Sequence, residues 1–289
     1  MIYPAIQNFV KNEVASEREI CSFLGCSRVA YQRWKGTSVT ARQSDDQSLL
    51  PLVVSIFRTH RRRYGTRRIV EELRDHGRDV SRRRVAKLLK TAGLSAIQPK
   101  SYKPRTTESR HTLGYSPNLI LDLPEPTLPD QLWVGDITYI PLSTSRFCYL
   151  ATLMDRYSRK IVGWALEEDM TESLVMSTLR RAISERQPPM AMIHHTDRGG
   201  QYASSRYRQM LDRAAMRQSM SRAGDCYDNA FMESCYGTIK TELEMTEYPS
   251  WRVATKELSE YIQYYNTERK HSAIGYLTPS QFEATNRRS

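Results

Sequence analysis

The chain has 289 residues, 39% of them apolar and 26% charged, with a formal net charge of +11, a composition ordinary for one or two soluble domains apart from that charge. The excess is confined to one end: residues 1–110 carry +13 and residues 111–289 carry −2, and a basic arm on a near-neutral body points to nucleic acid or, less readily, to an anionic membrane surface. No apolar run approaches the ~18 residues of a membrane span and no signal pattern opens the chain, so a cytoplasmic protein is expected; five scattered cysteines exclude a disulfide framework, and Cys21 and Cys26 lack a second pair at zinc spacing.

Residues 1–40 read as an N-terminal helical segment. Within it, residues 16–35 predict a helix ending near Gly25 and a second helix capped by Ser27, with Ile20, Phe23 and Leu24, then Val29, Tyr31 and Trp34, as the apolar stripes. A short helix, a glycine turn and a basic second helix form the helix-turn-helix pattern, although a plain helical hairpin fits the same residues. Residues 36–48, polar and carrying Asp45 and Asp46, read as a linker. Residues 48–95 then predict a basic helix-turn-helix DNA-binding domain. Leu49 to Thr59 is apolar at helical spacing, and Ile69, Leu73, Val85, Leu88 and Leu89 mark helices over 66–76 and 81–92. Gly77 closes the first of these and Ser81 caps the second.

Arg82, Arg83 and Arg84 fill the first turn of that last helix, where the helix dipole repels cations, so an external anion such as DNA phosphate is expected against them. Arg61, Arg62, Arg63, Arg67 and Arg68 extend the same tract; a solvated basic face is the plainer reading of both groups. Residues 96–129, interrupted by Pro99, Pro104, Pro117, Pro124 and Pro126, form a connector.

From residue 130 onward the pattern alternates. Strands are predicted over 132–140, 148–155, 161–167 and 190–194, with a short fifth at 218–220; helices are predicted over 172–185, 204–215, 229–244 and 251–266. The class is α/β, a mixed five-stranded sheet with flanking helices behind an all-helical N-terminal region.

Three carboxylates stand out in this half. Asp136 lies mid-to-late on the first strand, Asp197 just past the fourth and ahead of Gly199-Gly200, and Glu233 inside a helix. If strands one and four are neighbours and the helix crosses their ends, the three acids share one hollow. Acids so placed can hold two Mg²⁺ ions roughly 3.5–4 Å apart beside a phosphodiester, which serves hydrolysis with water or strand transfer with a DNA 3′-hydroxyl. Lys240 follows Glu233 by two helical turns and projects from the same face, where it either reaches DNA or is merely exposed. Asp155 is expected to bond the Arg156–Arg159 turn rather than a metal, Asp228 to cap the next helix, Asp225 to lie near the site, and at least one of His194 and His195 to be core.

These motifs resemble a known family. Trp133-Val-Gly-Asp136-Ile-Thr-Tyr, Met154-Asp155-Arg156 through Gly163-Trp164, His195-Thr-Asp197-Arg-Gly-Gly-Gln-Tyr202 and Asp228-Asn-Ala-Phe-Met-Glu233-Ser are similar to the integrase-type catalytic core of bacterial insertion-sequence transposases. The likeness is greatest to the second-reading-frame catalytic subunit of the IS-three group. Tyr265-Asn266 through Arg269-Lys-His271 to Pro279 resembles that group's C-terminal signature, and Tyr64-Gly65-Thr-Arg-Arg-Ile its helix-turn-helix, so the resemblance spans about residues 18–284.

The resemblance implies an RNase H-like core with Asp136, Asp197 and Glu233 as a DDE triad and as metal ligands, and Lys240 on DNA. It also implies two Mg²⁺ ions, for which Mn²⁺ can substitute, cleavage at element ends, 3′-hydroxyl strand transfer, and a homo-multimer on DNA. An upstream-frame partner subunit is a further implication, since no leucine heptads precede the core. Two rivals remain: a DNA-binding regulator that does not cut, and a nuclease acting on RNA–DNA hybrids.

Overall fold

The central strand β1, Leu132–Pro141, is buried along most of its length, which is why its sequence reads as a nearly unbroken apolar run. The computed structural model of the chain describes residues 2–36, 40–99, 114–121, 123–143, 146–222, 230–244 and 247–286. Around β1 the sheet adds β2 (Phe147–Asp155), β3 (Ile161–Glu167), β4 (Ile193–Thr196) and β5 (Arg217–Met220) in the order β3-β2-β1-β4-β5. The first three strands are antiparallel; β4 runs parallel to β1 and β5 parallel to β4.

Helices cover both faces. Against the face bearing Trp133, Ala151 and Leu153 pack α7 (Glu172–Arg186), the short α8 (Gly200–Ala203) and α9 (Ser205–Arg213), through Leu174, Leu179, Tyr202, Tyr207 and Leu211. α7 lies so close to β3 that a Cβ on Gly163 would meet Thr178 O at 2.7 Å and Ala182 Cβ at 2.8 Å. Asp136 and Thr152 alternate with that face, and on their side lies α10 (Ala230–Glu242). α11 (Trp251–Thr267) packs against β3 and against α12 (Pro279–Asn286). A buried ion cluster closes the bottom of the sheet: Arg186 binds both Asp130 and Glu283, and Glu283 also accepts from Ser158 and Lys160.

The chain divides into two compact units, residues 1–61 with 72–95, and residues 62–71 with 96–289. The first contains α1 (Tyr3–Lys11), α2 (Glu17–Phe23), α3 (Arg28–Lys35), α4 (Ala41–Thr59) and α6 (Arg82–Thr91), while α5 (Thr66–Asp75) carries the chain from one unit to the other. Ser27 and Ser81 cap α3 and α6 as expected, accepting from the amides of Ala30 and Arg84.

Three expectations need correction. The linker read over 36–48 is helical from Ala41, because Thr40 and Gln43 form a capping box and because Asp45 and Asp46 each bind Arg84 at 2.6 Å, with Asp45 also binding Arg78. Polar residues on this stretch hid a helix whose partners are charged. In α2 and α3, Phe23 and Val29 are exposed, and the buried stripe is Ile6, Ile20, Cys21 and Tyr31, drawn in part from α1, which the pattern did not predict. The fourth strand begins at Ile193 rather than 190, since Ala191 adopts a left-handed φ of +63° and breaks the extended run. Within the connector, residues 114–121 run beside the edge strand β5: Leu119 N–H donates to Ser219 Oγ, Met220 N–H to Pro117 O, and Ser116 Oγ to Gln218 Oε1.

Candidate active site

β1 and β4 pair in parallel with Val134 opposite His195. Continuing that register by two residues brings Asp136 level with Asp197, just beyond the last residue of β4. Asp197 is held by the turn that follows it, where Gly199 N–H donates to Asp197 Oδ1 at 2.9 Å. Both carboxylates are half-buried, Asp136 in the middle of β1 and Asp197 just past the end of β4.

α10 is fastened over this point by Tyr236. Its hydroxyl donates to the carbonyl of Asp136 itself at 2.5 Å and accepts from Thr152 Oγ1, across the β1–β2 pair, at 2.8 Å. Glu233 lies one turn before Tyr236 and Lys240 one turn after, so the three project along one helix face. Glu233 is exposed, and the Lys240 ammonium sits 4.6 Å from the centre of the Tyr139 ring.

Electrostatics tie the residues together. Burial, and then the negative charge of Asp197, push the Asp136 carboxyl up to about 8, with Glu233 adding in the same direction while the Ile137 amide and Lys240 oppose it. Burial lowers the Lys240 ammonium, which Asp136 partly restores. Among the described residues no three acids, histidines or cysteines are gathered tightly enough to form a ready-made metal cage. The donor set nevertheless fits a hard divalent cation: it offers only carboxylate oxygens, and the crowding of negative charge on Asp136 is what a cation would relieve.

The neighbouring polar groups are structural. Asp155 accepts from Ser158 N–H, Ser158 Oγ and Asp130 N–H. His194 and His195 are fully buried, the first bonded to Tyr207 and the second to Ser219 and Ser221. Burial drives His194 down to about 3, so it stays neutral. Asp225 and Asp228 lie outside the described residues.

Comparison with known proteins gives the family. Two integrase core domain families match residues 126–226 and 214–279, and an HTH-like domain family matches residues 44–102. The chain is 39% identical over 266 residues to the insertion element IS600 uncharacterized 31 kDa protein of Shigella sonnei, covering 91% of this chain and 97% of that one. It is 39% identical to the transposase for insertion sequence element IS904 of Lactococcus lactis, covering 85% and 97%, and 35% identical to transposase InsF for IS3A of Escherichia coli K12, covering 94% and 95%. The chain belongs to the IS3 family of insertion-sequence transposases.

The transposase thus has an RNase H-like integrase core behind a helical HTH-like domain. Among solved structures, the HTLV-2 integrase catalytic core domain in complex with magnesium aligns with a TM-score of 0.45 at 18% identity, over 54% of this chain and 98% of that one. A simian T-cell lymphotropic virus intasome aligns at 0.47 and 17%, over 74% and 70%. No helix among the described residues is long and apolar enough to cross a membrane.

The arginines expected on DNA separate into two sets. Arg61, Arg62, Arg67, Arg82 and Arg83 are exposed, Arg62 in a surface ion pair with Glu244 at 3.7 Å. Arg63, Arg68 and Arg84 are engaged within the transposase. Arg84 binds Asp45 and Asp46. Arg63 lies over the rings of Tyr261 and Tyr264 at 4.9 and 4.7 Å, and Arg68 binds Glu242 and the carbonyl of Lys270. With Tyr64, which accepts from Lys270 N–H and donates to Glu268 O, they tie residues 62–71 into the catalytic unit. Tyr236 and Thr152 are the site residues that sequence reasoning missed. The available signal was a tyrosine three residues after Glu233 and four before Lys240, on the face they share.

Proposed function

We propose that the transposase cleaves DNA at the ends of its insertion sequence and joins the freed 3′-hydroxyls to a DNA target, using Asp136, Asp197 and Glu233 as its catalytic acids. One observation supports this reading: Tyr236, bonded to the backbone of Asp136, fastens the helix bearing Glu233 to the strand of Asp136, whose register with β4 brings Asp197 level with it. The three acids would hold divalent cations, Mg²⁺ or Mn²⁺, which when bound supply Lewis-acid activation of a phosphodiester. The chain's own residues orient that centre. Gly199 N–H and Ile137 N–H fix one oxygen each of Asp197 and Asp136, and Lys240 supplies a positive charge for a neighbouring phosphate.

In the same reading residues 48–95 form the end-binding domain, with Arg61, Arg62, Arg67, Arg82 and Arg83 on phosphates. Arg63, Arg68 and Arg84 act indirectly, by bracing the surfaces beside them. Residues 96–129 connect that domain to the catalytic core of 130–289. Strand transfer at two element ends calls for a homo-multimer on DNA, and a subunit from an upstream reading frame would complete end recognition.

The test uses labelled element-end DNA with Mg²⁺ and a gel that resolves nicked from joined products. Asp136→Asn, Asp197→Asn and Glu233→Gln are each expected to abolish cleavage while leaving DNA binding intact. Cleavage retained by any one of them removes that residue from the set. Binding without cleavage by the wild-type chain would instead favour a DNA-binding regulator.

A further inference from the structure

The turn between β2 and β3, the first half of α10 and the loop after α11 enclose a cavity of about 320 Å³, whose wall includes Phe231 and Ser234 on either side of Glu233 in sequence. Three guanidinium groups line it, from Arg68, Arg159 and Arg269, together with the ring of His271. Glu242 pairs with two of them: it accepts from Arg269 Nε at 3.0 Å, from Arg269 Nη2 at 2.8 Å and from Arg68 Nη1 at 3.3 Å.

Arg159 has no such partner among the described residues. Its guanidinium lies 4.1 Å from the centre of the Phe231 ring, its buried Nε meets no acceptor, and its backbone holds a left-handed φ of +65°. Arg156, on the same ring at 4.3 Å, is already bound to Glu125. His271 meets the Tyr265 hydroxyl through Nε2, and its buried Nδ1 has no partner either. Burial and then neighbouring arginines lower the proton affinity of Arg68, Arg159 and His271, the mark of positive charge crowded into one place. Gathering surplus cations in a half-buried pocket is costly unless an anion joins them, and guanidinium forks match phosphate oxygens.

We propose that this cavity is a phosphate site, taking a phosphodiester of the DNA that the transposase binds. It rests on the DNA-cutting reading above and adds a contact independent of the basic N-terminal arm. Phosphate is the shared chemistry of a DNA strand and of the free ion, and the two arms of the experiment tell them apart.

The experiment measures affinity of the full chain for a fluorescein-labelled element-end duplex, without divalent cation, over roughly 50 to 200 mM salt. Arg159→Gln is expected to weaken binding several-fold and to reduce the slope of log K against log salt by about one, while Arg159→Lys, which keeps the charge, retains the slope. Thr238→Glu, in the cavity wall, tethers a carboxylate among the arginines and is expected to cause the same loss of slope with no fall in melting temperature. It serves as the control should Arg159→Gln fail to fold. An unchanged slope in Thr238→Glu overturns the site and leaves DNA binding standing; failure of the wild-type chain to bind the duplex overturns the underlying reading instead. Inorganic phosphate, titrated alone to millimolar levels, is expected to leave the wild-type melting temperature unchanged. A rise that Thr238→Glu abolishes would assign the cavity to a free anion and overturn the strand assignment.

Discussion

Replacing Tyr236 with phenylalanine removes one oxygen from the joint between α10 and β1. Thr152 is fully buried, and its hydroxyl donates to Tyr236; the Tyr236 hydroxyl in turn donates to Asp136 O. Burial holds that phenol well above its usual value, so it remains a donor at any ordinary pH. Without it, two buried polar groups lose a partner, each at a cost of about 1–3 kcal/mol, giving an expected loss of roughly 2–6 kcal/mol. Denaturant unfolding followed by circular dichroism reads that loss as a lower midpoint at unchanged slope. Thr152→Val in the same background removes the stranded hydroxyl and is expected to recover about 1–2 kcal/mol, a coupling that two independent sites would not show. Since Glu233 is one turn away, the cleavage rate should fall further than DNA affinity. Stability within about 0.5 kcal/mol of wild type, or strictly additive effects in the double variant, would refute the view that this hydroxyl sets the helix on the strand.

Asp136 and Glu283 respond oppositely to pH. The Asp136 carboxyl is raised to about 8, so the folded state binds more protons than the unfolded one between about pH 4 and 8, and stability falls as pH rises through that window. Without divalent cations, Asp136→Asn is therefore expected to stabilise the chain by roughly 2–3 kcal/mol at pH 8.5 and by almost nothing at pH 4, as read by urea midpoints. Equal gains at both pH values would contradict it. Burial works against ionisation of Glu283, but hydrogen bonds and charge from Arg186 outweigh it and hold the carboxyl below its ordinary value. Its contribution is present above the unfolded value and disappears as pH falls through the folded one. Glu283→Gln should cost about 3 kcal/mol at pH 7 and flatten the acid limb of the stability profile; an unaltered limb would place the acid sensitivity elsewhere. Gly163→Ala forces α7 away from β3 and is expected to cost about 1–3 kcal/mol, an expectation that an unshifted urea midpoint would end.

Much of this molecule is legible in the amino-acid order because its signals are local. Alternation and helical spacing mark the strands and helices of the catalytic half to within a few residues, since a strand buried on both faces or a helix buried on one must write that burial into consecutive side chains. The order of the motifs around Asp136, Asp197 and Glu233 likewise carries the family. Where partners are charged rather than apolar, the pattern is silent. The first turns of α4 look like a linker until Asp45 and Asp46 are seen against Arg84 and Arg78. Arg63 and Arg68 look like DNA contacts until Tyr261, Tyr264 and Glu242 appear some 170 or more positions further along the chain.

The sequence by itself determined the class of fold, the basic arm and the order of motifs that carries the family, all of which depend on residue type and short-range spacing. Only the tertiary structure decided which arginines face outward, which hydroxyl fastens the helix of Glu233 to the strand of Asp136, and where arginines collect around a cavity on another face of that helix. Those depend on which distant segments meet, and long-range charge pairing and hydrogen bonding leave no period in the chain from which the meeting could be read.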